Sequence, residues 1–137
     1  MIKVVVIDDH ELVLHGLNER LKQENGFEVV GAFTNYQDLL LCLKYKSVDI
    51  IIMDLMLKDI HGFDLISKIE SFYKEPLKIV LVSGFYEKLL HKRAIELGVK
   101  AFLPKECSYD ELISTVYNVY NGNQVIPDSI LGERSYC

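Results

Sequence analysis

The chain has 137 residues, half of them apolar, so it is long enough for one domain with a buried core. Its net charge is -5 and its isoelectric point is near 5.3, which argues against direct binding to nucleic acid or to an anionic membrane surface. The three cysteines are odd in number and form no Cys-x-x-Cys pair, a pattern typical of a reducing compartment.

The N-terminal residues show no secretory signal. The segment MIKVVVIDDH lacks a long apolar run after a basic start, and no stretch of about 18 apolar residues occurs anywhere in the chain. We therefore expect a cytoplasmic protein without a membrane partner.

Short apolar runs alternate with segments of helical spacing along the chain. The runs are mostly continuous and rich in valine and isoleucine, as in strands that are buried on both faces of a parallel sheet. Strands are predicted over residues 2–7, 27–33, 48–53, 77–82 and 100–103. Apolar stripes predict five helices, at Leu14, Leu17 and Leu21; Tyr36, Leu39, Leu40 and Leu43; Ile66, Ile69 and Tyr73; Leu90, Ala94 and Leu97; and Leu112, Ile113, Val116 and Tyr120.

Residues typical of helix ends agree with this alternation. Ser108 and Glu111 form a capping box that opens the last helix. Gly26, Gly98 and Gly122 stand where helices would end in a left-handed residue. The pattern predicts an α/β fold, a (βα)5 doubly wound parallel sheet of the flavodoxin-like kind, over residues 1–122. Residues 123–137 lose the pattern and are expected to be a linker or tail, or a short docking segment.

Polar side chains are expected to gather at the carboxyl ends of the strands. Strand 1 ends in Asp8 and Asp9, strand 3 in Asp54, strand 4 in Ser83 and strand 5 near Lys105. With the strand order 2-1-3-4-5, the three carboxylates converge in one pocket beside a hydroxyl and an ammonium group. Such carboxylates need a cation, and their oxygen ligands suit Mg²⁺. A carboxylate held in this way can act as a nucleophile on phosphorus.

Four segments carry a resemblance to a known family. They are VVVIDDHELVLHGL at the first strand, IIIMDLML at the third, IVLVSG at the fourth and GVKAFLPKE at the fifth. Their order and content resemble the receiver domain of bacterial two-component response regulators, which has a CheY-like fold. The acidic start, and glutamate rather than proline after Lys105, look most like the NarL/LuxR-type subfamily, which carries a C-terminal helix-turn-helix DNA-binding domain.

The resemblance implies roles for the pocket residues. Asp54 would accept a phosphoryl group from a phosphohistidine of a sensor histidine kinase, and Lys105 would pair with the resulting acyl phosphate. Asp9 would bind Mg²⁺ directly and Asp8 through water, while the backbone carbonyl of Met56 would complete the protein ligands. The domain would catalyse its own phosphorylation and dephosphorylation without being a metabolic enzyme.

The resemblance also implies a switch. Ser83 would bond a phosphoryl oxygen, and Phe102, at the aromatic switch position, would turn inward to fill the vacated space. Lys58 stands where many relatives have proline, which predicts a less rigid loop over residues 58–62. Met56 and Phe85 face the expected path of the attacking water and cannot hydrogen-bond it, so we expect a long-lived aspartyl phosphate.

Other function classes fit the residues less well. A Mg²⁺-dependent aspartyl-phosphate phosphatase of the haloacid-dehalogenase type needs Asp-x-Asp after strand 1, whereas Asp8, Asp9 and His10 follow one another here. A flavin carrier needs a phosphate cradle at the same turn, where two aspartates would repel the ligand. A receiver that acts only as an interaction module would not need the full set of polar residues.

Two outputs of such a switch are compatible with the sequence. Phosphorylation is expected to promote a homodimer that binds DNA through a C-terminal domain lying outside these residues; the alternative is a stand-alone receiver that acts by protein-protein contact. The candidates for the dimer face are Leu12 and Val13 of the first helix and Tyr117 and Tyr120 of the last. None of the four histidines has a metal-ligand spacing, and His10, His15, His61 and His91 are interpreted as structural or surface residues.

Overall fold

The computed structural model describes residues 1–73, 77–84 and 88–125. Five strands alternate with five helices. In chain order the elements are β1 (Ile2–Ile7), α1 (Glu11–Lys22), β2 (Phe27–Phe33), α2 (Tyr36–Tyr45), β3 (Ile50–Asp54), α3 (Gly62–Phe72), β4 (Lys78–Ser83), α4 (Lys88–Glu96), β5 (Ala101–Pro104) and α5 (Tyr109–Tyr120). The strands pair in parallel in the order β2-β1-β3-β4-β5, which confirms the predicted fold.

The continuous apolar strands are explained by helices on both faces of the sheet. In β1, Val4 and Val6 join a core with α1 and α5, whereas Val5 and Ile7 join a second core with α2, α3 and α4. Successive side chains of a strand point to opposite faces, so both sets must be apolar when both faces are covered. The sheet therefore lies between two layers of helices, with α1 and α5 on one face and α2, α3 and α4 on the other.

Helix ends match the sequence at most positions. The Ser108 side chain accepts a hydrogen bond from the Glu111 backbone N–H at 3.1 Å, which stabilises the start of α5. Gly98 and Gly122 have φ of +86° and +95°, as the left-handed prediction required. The prediction for Gly26 was wrong, because its φ is not positive. A Cβ at Gly26 would lie 2.6 Å from the Tyr117 hydroxyl. A side chain at this position would therefore disturb the packing against Tyr117.

The start of the predicted tail lies along the edge strand β5. The Val125 backbone N–H donates to the Lys100 carbonyl at 2.9 Å, and Val125 forms a parallel bridge with Ala101. The boundary at residue 122 stays a prediction, and the predicted docking residues from 126 onward lie outside the described ranges. Over those ranges, the longest helices are too short and too polar to cross a bilayer.

Candidate functional site

The carboxyl ends of β1 and β3 bring two acidic side chains together. Ile7 pairs with Met53 in the parallel register, so Asp8 and Asp54 follow at neighbouring positions. Both are buried, with exposed fractions of 6% and 5%. Isolated buried carboxylates are unfavourable, so this pairing requires compensating positive charge.

Lys105 supplies one positive charge. Its backbone N–H donates to the Ser83 carbonyl at 2.9 Å, which places the residue just beyond β5. Its Nζ donates to Asp54 Oδ2 at 2.9 Å and lies 3.3 Å from Asp8 Oδ2. Burial by itself lowers the pKa of Lys105, but the hydrogen bonds and charges of the two carboxylates outweigh it and the pKa is raised. The residue is therefore a fixed cation at neutral pH.

A third carboxylate completes the pocket. One carboxylate oxygen from each of Asp8, Asp9 and Asp54, together with a ring nitrogen of His10, lies within 4.8 Å of the others. The Asp9 side chain is only 8% exposed. Within the part of the chain that the structure describes, Asp9 Oδ1 accepts no hydrogen bond. A buried carboxylate oxygen without a donor is costly unless a cation binds it, so this donor set fits Mg²⁺.

His10 belongs to this cluster although its side chain is 61% exposed, as the sequence interpretation of a surface residue predicted. Its Nδ1 lies 3.0 Å from Asp8 Oδ1, 3.3 Å from Asp9 Oδ1 and 3.0 Å from Lys105 Nζ. A neutral ring can satisfy only one of these neighbours at a time, because Nδ1 either donates or accepts. The signal was its position directly after the acidic pair; the test for helical spacing to His15 was the wrong one.

Comparison with known proteins decides the family. Residues 4–117 match the response regulator receiver domain. The chain belongs to this family. It is 29% identical over 130 residues to the response regulator UvrY of Escherichia coli K12, and 33% identical over 122 residues to the transcriptional regulatory protein UhpA of the same strain. These alignments cover 95% and 89% of this chain but only 59% and 60% of the relatives, so the chain spans about three-fifths of their length.

Solved structures agree on the fold. The signal receiver domain of NarL from Mycobacterium tuberculosis superposes with a TM-score of 0.81 at 25% identity, covering 89% of this chain and 98% of that one. A LuxR-family response regulator from Aurantimonas has a TM-score of 0.84 at 19% identity, covering 98% and 95%. With these relatives the receiver domain groups with the NarL/LuxR-type regulators. Proteins of the family act as signalling domains rather than as conventional enzymes, and they bind Mg²⁺ in an acidic pocket.

The surroundings of Asp54 disfavour its charged form. Burial raises its pKa. The hydrogen bond and charge of Lys105 and the Met56 backbone N–H, which donates to Asp54 Oδ1 at 3.3 Å, offset part of that effect, while the charge of Asp8 adds to it. A carboxylate whose charged form is destabilised by burial is stabilised when a cation binds it.

The predicted switch residues are both buried. Ser83 is fully buried at the end of β4, next to Pro104 of β5 in the register. Phe102 is 4% exposed, and its ring packs edge-on against His91 with centroids 4.3 Å apart. The Phe102 ring therefore lies inside the domain in this conformation, and its role as a switch residue stays a prediction.

Two backbone contacts close the loop after β3, and the lower rigidity predicted from Lys58 stays a prediction. The Gly62 backbone N–H donates to the Leu55 carbonyl at 2.6 Å, and Met56 bridges to His61 in antiparallel fashion. The Met56 side chain is 43% exposed beside the pocket. Phe85, the other residue predicted to face the water path, lies outside the described ranges.

Proposed function

We propose that this domain is the phosphoacceptor of a two-component system and that Asp54 receives the phosphoryl group. One observation carries the proposal: the buried Asp54 carboxylate is in contact with Lys105 Nζ at 2.9 Å and adjoins the carboxylates of Asp8 and Asp9, and Asp9 Oδ1 accepts no hydrogen bond from the described residues. This combination leaves a nucleophilic oxygen next to one fixed cation and a second cation site.

The chemistry asked of these residues is a single displacement. An Asp54 oxygen forms a bond to the phosphorus of a phosphohistidine on a sensor histidine kinase, the P–N bond breaks, and its electron pair stays on the imidazole. Lys105 holds the charge of the phosphoryl oxygens, and the Ser83 hydroxyl donates to one of them after rearrangement. Phe102 then repacks against the space beside Ser83, which transmits the change to the α4-β5 face.

Asp8, Asp9, Asp54 and the backbone carbonyl of Met56 are the proposed metal ligands. When bound, Mg²⁺ neutralises negative charge on the transferring phosphoryl group. Asp9 is the strongest candidate for direct contact, because its Oδ1 is buried and has no hydrogen bond from any residue that the structure describes.

The proposed output is transcriptional. UhpA is a transcriptional regulatory protein, and one structurally similar chain is RcsB, solved as two dimers bound to two parallel DNAs. We propose that phosphorylation favours a homodimer of this receiver and DNA binding by a further domain of the same polypeptide, acting in the cytoplasm. The four exposed or partly exposed residues predicted for the dimer face, Leu12, Val13, Tyr117 and Tyr120, remain the candidates.

The deciding experiment is the intact mass after incubation with acetyl phosphate and Mg²⁺. A gain of about 80 Da is expected in the wild type, and no gain in Asp54→Asn or in the presence of a chelator. Asp59→Asn is the matched control, because Asp59 is an exposed aspartate on the neighbouring loop and should leave the gain intact. An unmodified wild type, or an Asp54→Asn protein that still gains the mass, would overturn the assignment.

A further inference from the structure

His10 stands at the start of α1 in a position that normally caps a helix. The side-chain oxygen of a residue there usually accepts a hydrogen bond from one of the first backbone N–H groups of the helix. The His10 side chain makes no such bond. Its ring instead turns to the acidic pocket, while its backbone N–H donates to Asp8 Oδ1 at 2.8 Å and ties the residue to that carboxylate.

The His10 ring nitrogen lies at hydrogen-bond distance from Asp8 Oδ1 and Lys105 Nζ, and its distances to the three carboxylates are also those of ligands around one ion. In an octahedral shell with bonds of about 2.1 Å, adjacent ligand atoms lie about 3.0 Å apart and opposite ones about 4.2 Å apart. His10 Nδ1 lies 3.0 Å from Asp8 Oδ1, 3.3 Å from Asp9 Oδ1 and 4.0 Å from Asp54 Oδ2. The first two separations match adjacent ligands and the third approaches that of opposite ligands.

A second observation points to a bound cation at this place. Asp9 Oδ1 belongs to a side chain that is 8% exposed and, among the described residues, it accepts no hydrogen bond. It lies 3.3 Å from the His10 nitrogen, a separation at which both atoms can bind one metal ion side by side. The ring itself is 61% exposed at the mouth of the pocket, so its other nitrogen is free to donate to water while Nδ1 faces inward.

Imidazole ligation changes the choice of metal. Mg²⁺ prefers oxygen donors, whereas Mn²⁺, Fe²⁺, Co²⁺, Ni²⁺ and Zn²⁺ accept nitrogen readily. We propose that His10 is a further protein ligand of the pocket and that it gives the site added affinity for first-row transition-metal ions, an addition that rests on the Mg²⁺ site of the proposed function. The site then takes two classes of divalent cation, with the imidazole engaged by one of them.

Calorimetric titration with Mg²⁺ and with Ni²⁺ tests this without reference to phosphorylation. The proteins are the wild type, His10→Ala, Asp9→Asn and, as matched control, His15→Ala, which removes an exposed histidine one turn further along α1. The titrations are made at about pH 8, because metal ions compete with protons for an imidazole nitrogen. We expect His10→Ala to weaken Ni²⁺ binding by about tenfold or more and Mg²⁺ binding by less than about twofold, with His15→Ala unchanged.

Direct coordination has its own signature. With Mn²⁺ as the probe, electron spin echo envelope modulation should show a coordinated nitrogen in the wild type and in His15→Ala, and none in His10→Ala. Absence of nitrogen modulation in the wild type would overturn the proposal. So would equal changes in Ni²⁺ and Mg²⁺ affinity on removing His10, because a ring that only blocks the pocket or positions Asp8 affects both ions alike.

The same data separate this inference from the proposed function. Asp9→Asn should abolish high-affinity binding of both ions if the acidic pocket is the metal site. If Mg²⁺ still binds unchanged to Asp9→Asn, the proposed metal site itself is wrong. If Asp9→Asn loses both ions but His10→Ala keeps its Ni²⁺ affinity, the site stands and only the role of His10 fails.

Discussion

Removing the charge of Asp54 should stabilise the metal-free domain. The Asp54 ligand oxygen lies within 4.8 Å of those of Asp8 and Asp9, so each repulsion is at least about 3.5 kcal/mol at an effective dielectric constant of about 20. The attraction between Lys105 Nζ and Asp54 Oδ2, 2.9 Å apart, is about 5.7 kcal/mol at the same dielectric constant. The repulsions and the attraction are therefore of similar size, and the cost of burying the carboxylate, the largest cause of its raised pKa, decides the balance.

The change is Asp54→Asn, which keeps the shape of the side chain and an acceptor for Lys105. We expect its free energy of unfolding at pH 7, with a chelator present, to exceed that of the wild type by about 1–2 kcal/mol, or roughly 3–6 °C in melting temperature. Calorimetry or circular dichroism measures this. Asp59→Asn, on an exposed loop position, controls for the loss of one negative charge.

The pH dependence has a defined sign. Burial holds the folded pKa of Asp54 above its ordinary value of 3.8, so the folded state binds more protons than the unfolded state between those two values. The wild type therefore loses stability as the pH rises from the unfolded to the folded pKa of Asp54. The difference in free energy of unfolding between Asp54→Asn and the wild type should be largest above the folded pKa and should vanish below the unfolded pKa. Mg²⁺ should reduce the difference in stability between Asp54→Asn and the wild type at pH 7, because it binds the folded wild type. A variant less stable than the wild type at pH 7 without divalent ions would refute the reasoning.

Three other predictions follow from single contacts. Gly62→Ala should lose about 1–3 kcal/mol in chemical denaturation, because its Cβ would lie 2.8 Å from the Leu55 carbonyl oxygen, whereas Gly84→Ala, with nothing within 4 Å, should change little. Burial lowers the pKa of His91, so the wild type should lose stability as the pH falls from about 6.5, and His91→Phe should lose less over that range; equal losses would contradict this. Met56→Asn should shorten the lifetime of the phosphorylated form by about tenfold or more, because the asparagine amide can hydrogen-bond the attacking water. A time course of the intact mass measures the decay, and an unchanged decay rate would show that Met56 does not limit access of water to the aspartyl phosphate.

Much of the fold was predictable because its signals are local. A strand covered on both faces must be apolar throughout, and the continuous Val-Ile runs of β1 and β3 indicate such strands. The strand order placed Asp8 and Asp54 side by side, since carboxyl ends of neighbouring parallel strands meet at one edge. The error at Gly26 had a tertiary cause, because the need for a small residue there comes from Tyr117, far away in the chain.

The composition of the pocket followed from the sequence, but its electrostatics did not. Strand periodicity and turn residues reflect interactions between near neighbours, so they identified Asp9, Asp54 and Lys105 as one group. The contact between His10 and Lys105 joins residues 95 positions apart, and no local pattern records the direction in which an imidazole ring turns. Only the packed structure decided that the ring enters the acidic pocket and that Phe102 is already inside, because both depend on space and charge supplied by distant segments.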